Sequence, residues 1–165
     1  MKKEKEFYKR RYHPQRNFSK ANVRLYNLIL DLDVKTIFEF GCGVGRHLER
    51  LSDWGYDVAG MDISNQCIKE AKENGLKVFT GDETKLSKFK EYDLVFTNSV
   101  LCHMSDPTEA LRELKRMAKK YLITVECISK ENDYWWVHEY EGKLIHTIDS
   151  HLNNGATYNI YLCEF

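Results

Sequence analysis

TIFEFGCGVGRHLERLSDWGYDVAGMD, from Thr36 to Asp62, holds a strand, a turn, a helix and a second strand in succession. Thr36-Ile37-Phe38-Glu39-Phe40 is an apolar strand. Gly41-Cys42-Gly43-Val44-Gly45 is a glycine-rich turn, and Leu48, Leu51 and Trp54 then recur at i, i+3, i+6 on a helix. Gly55 stops that helix, and a strand from Tyr56 to Met61 ends on Asp62. The pattern predicts one βαβ unit.

The loop predicts a class of ligand. Glycines reach backbone angles that a Cβ forbids and let a ligand approach the main chain. The loop opens onto a helix N-terminus, whose free N–H groups and positive dipole end favour an anionic group. Asp62, at the carboxyl end of the second strand, is placed to accept hydrogen bonds from two ribose hydroxyls. A nucleoside carrying a carboxylate or phosphate follows. Two details lean away from NAD. Arg46 stands where a dinucleotide fingerprint has its third glycine. Glu39, just before the loop, suits a cationic amino group. A nucleoside joined to an amino acid, with both ammonium and carboxylate, is S-adenosylmethionine.

The remaining composition sets bounds. The 165 residues are 42% hydrophobic and 30% charged, which predicts one soluble globular domain across 1–165. No apolar run reaches membrane-spanning length, and no signal-peptide core opens the chain, so a cytoplasmic location without membrane association is expected. The cysteines at 42, 67, 102, 127 and 163 form no C-x-x-C pair and no metal-ligand spacing, so reduced core residues and no metal are expected. Formal net charge is zero but uneven: Met1–Arg16 holds seven Lys/Arg and two Glu, leaving the remainder at −5. Residues 1–20 are expected to form a helical arm, with Tyr8, Arg11 and Tyr12 ordered over the pocket.

Strand and helix alternate beyond Asp62. Val23, Tyr26 and Leu30 share one face of a helix before the first strand, widened by Leu25, Leu28 and Ile29. Ser64 caps a helix with Cys67, Ile68 and Ala71 inward, closed by Asn74-Gly75. Leu76–Thr80, Tyr92–Asn98 and Tyr121–Cys127 are strands. Asp106 is the expected N-cap of a helix whose stripe is Leu111, Leu114, Met117 and Ala118. The fold class is α/β, a doubly wound, mostly parallel sheet with helices on both faces. Tyr134–His138 reads as a loop, Glu141–Leu152 as a helix (a strand at Lys143–Ile148 being the alternative), and Thr157–Phe165 as a final strand.

Four motifs in order resemble the class I S-adenosylmethionine-dependent methyltransferases over about Thr36 to Cys127. Glu39–Gly45 is similar to the family's first motif, and Met61-Asp62-Ile63-Ser64 to its second. Gly81-Asp82 is similar to the adenine motif, and Tyr92–Met104 with Asp106-Pro107 to the fourth strand and its loop. The resemblance implies that Gly41, Gly43 and Gly45 line the methionine moiety, with Glu39 near its amino group. It implies Asp62 on the ribose, Ile63 on the adenine face, and Asp82 with the Glu83 main chain at the adenine amino group. Asn98 would face the methionine end, with Val100 and His103 beside the methyl, and His103 is the candidate base.

Two departures matter. An Asn-Pro-Pro-Tyr signature is absent, Thr97-Asn98-Ser99-Val100 standing in its place, which argues against a base-amino methylase; the resemblance, strongest to the small members that act on small molecules, implies a small-molecule acceptor and no nucleic-acid partner. Only 38 residues follow Cys127, so the sheet is expected either to be shortened at its C-terminal end or to finish in a hairpin. The expected activity is methyl transfer. The alternative is a non-catalytic S-adenosylmethionine-binding protein, and a nicotinamide oxidoreductase is third.

Overall fold

Each central strand alternates between two cores, as a strand covered on both faces must. The computed structural model describes residues 20–129, 134–150 and 156–165. In chain order these form α1 (Lys20–Leu30), β1 (Thr36–Phe40), α2 (Arg46–Asp53), β2 (Asp57–Asp62), α3 (Asn65–Glu73) and β3 (Val78–Thr80). A 3-10 helix (Glu83–Lys88), β4 (Tyr92–Asn98), a 3-10 turn (Leu101–His103), α4 (Thr108–Met117), β5 (Ala118–Cys127), β6 (Lys143–Ser150) and β7 (Ala156–Glu164) follow. The seven strands form one sheet in the order β3-β2-β1-β4-β5-β7-β6. The first five are parallel, and β7 is antiparallel to both β5 and β6.

Ile37, Leu94, Phe96, Ile123 and Val125 pack on one face with Leu25 and Ile29 of α1, Leu48 and Leu51 of α2, and Ile68 and Ala71 of α3. Phe38, Val95 and Leu122 pack on the other with Leu86, Ala110, Leu114 and Met117. Helices therefore cover both faces, and the expected doubly wound sheet is the one present. Strand order reverses between β1 and β4, and the carboxyl ends of strands at such a point are where open α/β sheets hold ligands. Asp93 works at the opposite end. Its Oδ2 accepts from Lys35 N and Thr36 N at 2.8 and 3.1 Å, and Thr36 Oγ1 accepts from Asp93 N at 2.8 Å, which fixes the starts of β1 and β4.

Several local expectations hold. Ser64 Oγ accepts from Cys67 N at 3.3 Å, and Cys67, Ile68 and Ala71 are buried. Others need correction. The apolar face of α1 is rotated: Asn22, Leu25, Tyr26 and Ile29 are buried, whereas Val23 and Leu30 are 51% and 53% exposed. Asp106 is not the N-cap of α4, a position Pro107 holds; its Oδ1 accepts from Thr108 N at 3.0 Å in the turn before it. Ala118 belongs to β5 rather than to the helix.

The largest correction is at the tail. In place of the helix expected over Glu141–Leu152, Lys143–Ser150 is β6, as the alternative of a strand at Lys143–Ile148 had it, and the sheet is not shortened but ends in the β6–β7 hairpin. Leu144, Ile145 and Ile148 fit a helical period only because the ladder slips between Leu144 and His146, so the bulge breaks the two-residue alternation. Of the expected arm at 1–20, residues 1–19 lie outside the described residues, as do 151–155. No helix among the described residues is long and apolar enough to cross a membrane. All five cysteines are free thiols, four of them buried.

Candidate cofactor and active site

The expected cofactor residues stand along the carboxyl ends of four adjacent strands: Asn98 on β4, Glu39 on β1, Asp62 on β2, and Asp82 just past β3. Neighbouring strands are about 4.8 Å apart, so this row runs roughly 14 Å. Gly41 N and Cys42 N both donate to Met61 O, at 2.7 and 3.1 Å, which folds the glycine loop across the end of β2. Asp62 fixes the loop from below. Its Oδ2 accepts from Gly43 N at 2.9 Å and its Oδ1 from Ser64 N at 2.8 Å.

The glycines differ in what their missing side chains serve. Gly43 has φ 53°, and among the described residues beyond its two chain neighbours no heavy atom comes within 4 Å of where its Cβ would stand. A Cβ at Gly41 would stand 2.1 Å from Val100 Cγ2, so the loop after β4 presses against the glycine loop. The Cβ side of Gly45 is filled by Leu76 and Ala71. That glycine seats α2 against α3.

Glu39 is buried to 1% exposure, and among the described residues its Oε2 has no hydrogen-bond partner. Burial, and after it the Asp62 carboxylate, pushes Glu39 well above the usual carboxylate range. Cys42 is buried beside it, and burial followed by the Glu39 and Asp62 charges pushes its thiol up. An orphaned buried carboxylate oxygen below an uncrowded glycine suits a cationic donor group. Asp82 Oδ1 accepts from Thr84 N at 3.2 Å and Thr84 Oγ1 at 2.6 Å, capping the 3-10 helix that Glu83 begins. Gly81 N donates to Asp62 O at 3.0 Å, which keeps Asp82 beside Asp62, and Ile63 is half-buried next to it.

Asn98 sits in a polar chain that the sequence reading missed. Its Nδ2 donates to Asn22 Oδ1 at 2.9 Å and to His47 Nε2 at 3.1 Å. His47 Nε2 therefore accepts, and Nδ1–H donates to Tyr26 Oη at 2.7 Å. Burial, and after it Arg50, lowers His47 to about 4, so the ring is neutral. Both amide protons of Asn98 are used, and its Oδ1 accepts from Ser99 Oγ at 3.2 Å. Helical spacing offered the missed signal, because His47 lies four residues before Leu51.

His103 ends the 3-10 turn after β4. A carbonyl can only accept, so His103 Nδ1–H donates to Tyr134 O at 3.0 Å, and Nε2 is the basic nitrogen of the neutral ring. Trp135 stands edge-on to the imidazole with centroids 4.3 Å apart. Trp136 N donates to Cys102 O and His138 Nε2 donates to Met104 O, both at 2.8 Å. Three bonds thus join the 134–138 loop to the turn. Among the described residues, no group of three His, Cys, Asp or Glu side chains is close enough to hold a metal ion.

This sheet order with a glycine loop and a row of acids along the strand ends defines a class I methyltransferase architecture. The methyltransferase domain model matches residues 38–122, just over half of the chain. The chain belongs to this family, that of the class I S-adenosylmethionine-dependent methyltransferases, as the four motifs implied. A ubiquinone biosynthesis O-methyltransferase from Nitrosomonas europaea is 30% identical over 100 residues, covering 56% of this chain and 43% of that protein. A tRNA U34 carboxymethyltransferase from Colwellia psychrerythraea is 31% identical over 121 residues, covering 67% of this chain and 37% of that protein. The chain thus spans about two fifths of the length of these curated relatives. In fold it is similar to magnesium protoporphyrin IX methyltransferase from Synechocystis with bound SAH, at TM-score 0.70 and 17% identity, covering 86% of this chain and 80% of that one.

Proposed function

We propose that the chain binds S-adenosylmethionine along the row from Asn98 to Asp82 and transfers its methyl group to a hydroxyl of a small molecule. The observation that carries this reading is Glu39 Oε2, a buried carboxylate oxygen with no donor among the described residues, at the root of the glycine loop. In it, Glu39 and Asn98 Oδ1 hold the amino group, the main chain of Gly41 and Gly43 borders the methionine moiety, and Asp62 takes the ribose hydroxyls. Ile63, Asp82 and the Glu83 main chain take the adenine. S-adenosylmethionine supplies a methyl already activated by its sulfonium. The chain then has to align the acceptor, exclude water and remove a proton. Val100 borders the methyl, and His103 Nε2 is the base. The same reading takes the chain as one domain, with residues 1–20 as an arm over the pocket.

Calorimetry with S-adenosylmethionine, S-adenosylhomocysteine and NAD tests the cofactor. The first two are expected to bind and NAD to give no heat; binding of NAD alone would sink the reading. Asp62→Ala is expected to weaken S-adenosylhomocysteine binding by roughly 1–3 kcal/mol, since hydrogen bonds in a buried site are lost. Unchanged affinity in a folded variant would take Asp62 out of the ribose role.

A metabolite screen that detects S-adenosylhomocysteine tests the acceptor. The rival is RNA, favoured by the net +5 of Met1–Arg16 and by the relative named for tRNA. Methyl transfer to bulk tRNA, with none to hydroxylated metabolites, would decide for that rival.

A further inference from the structure

Glu126 is the one buried carboxylate of the sheet that the proposed chemistry does not use. It stands in β5 within Leu122-Ile123-Thr124-Val125-Glu126-Cys127, on the face that α4 covers, and is fully buried. An unpaired charge there would cost several kcal/mol. Its partners come from the end of β4 and the loop that follows it. Oε1 accepts from Thr97 Oγ1 at 2.8 Å, and Oε2 accepts from Val100 N and Cys102 N, each at 3.1 Å. The carboxylate thus sits at the N-terminal end of the 3-10 turn, where backbone N–H groups converge on an anion.

The same loop is held under strain. Ser99 is the one non-glycine with positive φ (57°) among the described residues, and its N donates to Val125 O at 2.8 Å. Such a conformation persists where the surroundings over-determine it. Two side chains of this segment meet different parts of the chain. Val100 presses on Gly41. His103 follows within the turn, whose Cys102 O also receives Trp136 N.

We propose that Glu126 is a positioning residue, the buried anion that fastens the turn after β4 and so sets both Val100 against the cofactor loop and His103 against the 134–138 loop. The proposal rests on the cofactor reading above. Burial, the largest influence, raises Glu126 above the usual carboxylate range, and the Thr97 hydroxyl and the turn N–H groups act against that rise.

The test is E126Q, which keeps the shape but turns an amide toward N–H donors. Glu113→Gln serves as the control. Glu113 is a second buried carboxylate, paired with Arg116 and Arg112 at 2.8 and 3.0 Å on α4. E126Q is expected to weaken S-adenosylhomocysteine binding about tenfold or more, as loss of a charge-assisted bond does. It should also move the His103 imidazole nitrogen signals from the Nδ1–H pattern to a tautomer mixture. E113Q should lower the melting temperature and leave both readouts alone. A folded E126Q with unchanged affinity and imidazole signals overturns the proposal.

If E126Q does not fold, hydrogen exchange in the unsubstituted chain decides. Val100 and Cys102 amide protons should exchange as slowly as those of the β-ladder, and loop-like exchange overturns the proposal. Failure of the unsubstituted chain to bind S-adenosylhomocysteine removes the cofactor reading instead, leaving the exchange and imidazole results to judge Glu126.

Discussion

His103→Ala leaves S-adenosylhomocysteine affinity unchanged and lowers turnover on the acceptor by about 10²–10⁴-fold, the range a positioned base supplies. The sulfonium leaves as a neutral thioether and needs no charge stabilisation, so proton removal and alignment are what the protein adds. The Tyr134 carbonyl fixes the ring in its Nδ1–H form, so the lone pair is on Nε2. A base held in one tautomer loses no fraction of its population to the wrong one. Alignment by the pocket survives the substitution and retains its own part of the rate. A variant with full turnover would return His103 to a purely structural role, bracing the 134–138 loop, and leave proximity as the mechanism.

Glu39→Gln is expected to change binding and stability in opposite directions. In the free chain the carboxyl is buried, without a donor at Oε2, and its pKa is raised by burial and then by Asp62. A folded-state value above the unfolded one means that the unfolded chain sheds this proton first as pH rises. The stability associated with Glu39 is therefore fully present below its ordinary pKa and is lost as pH climbs toward the raised one. Gln carries no such proton. At neutral pH Glu39→Gln should raise the melting temperature of the free chain and flatten that part of its pH dependence.

Binding should respond the other way. An ammonium left unpaired in a buried site costs about 3–5 kcal/mol, so affinity for S-adenosylhomocysteine should fall by two orders of magnitude or more. Methylthioadenosine, which lacks the amino acid, should bind both forms alike. Equal losses for the two ligands, or a less stable Gln variant, would refute the role given to Glu39.

Residues 36–62 were legible because every signal in them agrees: apolar strand, glycine turn, helical stripe and terminal acid. The tail was not, because a bulge at Ile145 gives a bent strand the spacing of a helix. The face of α1 was misplaced for a different reason. Asn22 is buried there because Asn98, from a strand 76 residues away, supplies its partner, and hydropathy counts an asparagine as outward. Glu126 had a signal that went unread. One acid inside an apolar strand that is covered on both faces has to find donors, and that necessity points to a buried anchor before any coordinates are known. The 134–138 loop was hardest to read, since its place is set by bonds to Cys102, His103 and Met104, some thirty residues earlier in the sequence.

The sheet order has a consequence for how the chain is made. β7 is the last strand in sequence but lies between β5 and β6 in space. While the ribosome is still delivering β6, the outer edge of β5 has no partner, and Leu122-Ile123-Thr124-Val125 is an apolar, β-branched template for intermolecular pairing. The two strands cannot be added outward one at a time; the hairpin has to dock as a unit, with β7 against β5. Nascent chains stalled before Ala156 should accordingly depend on chaperones, and release from them should coincide with emergence of the final strand.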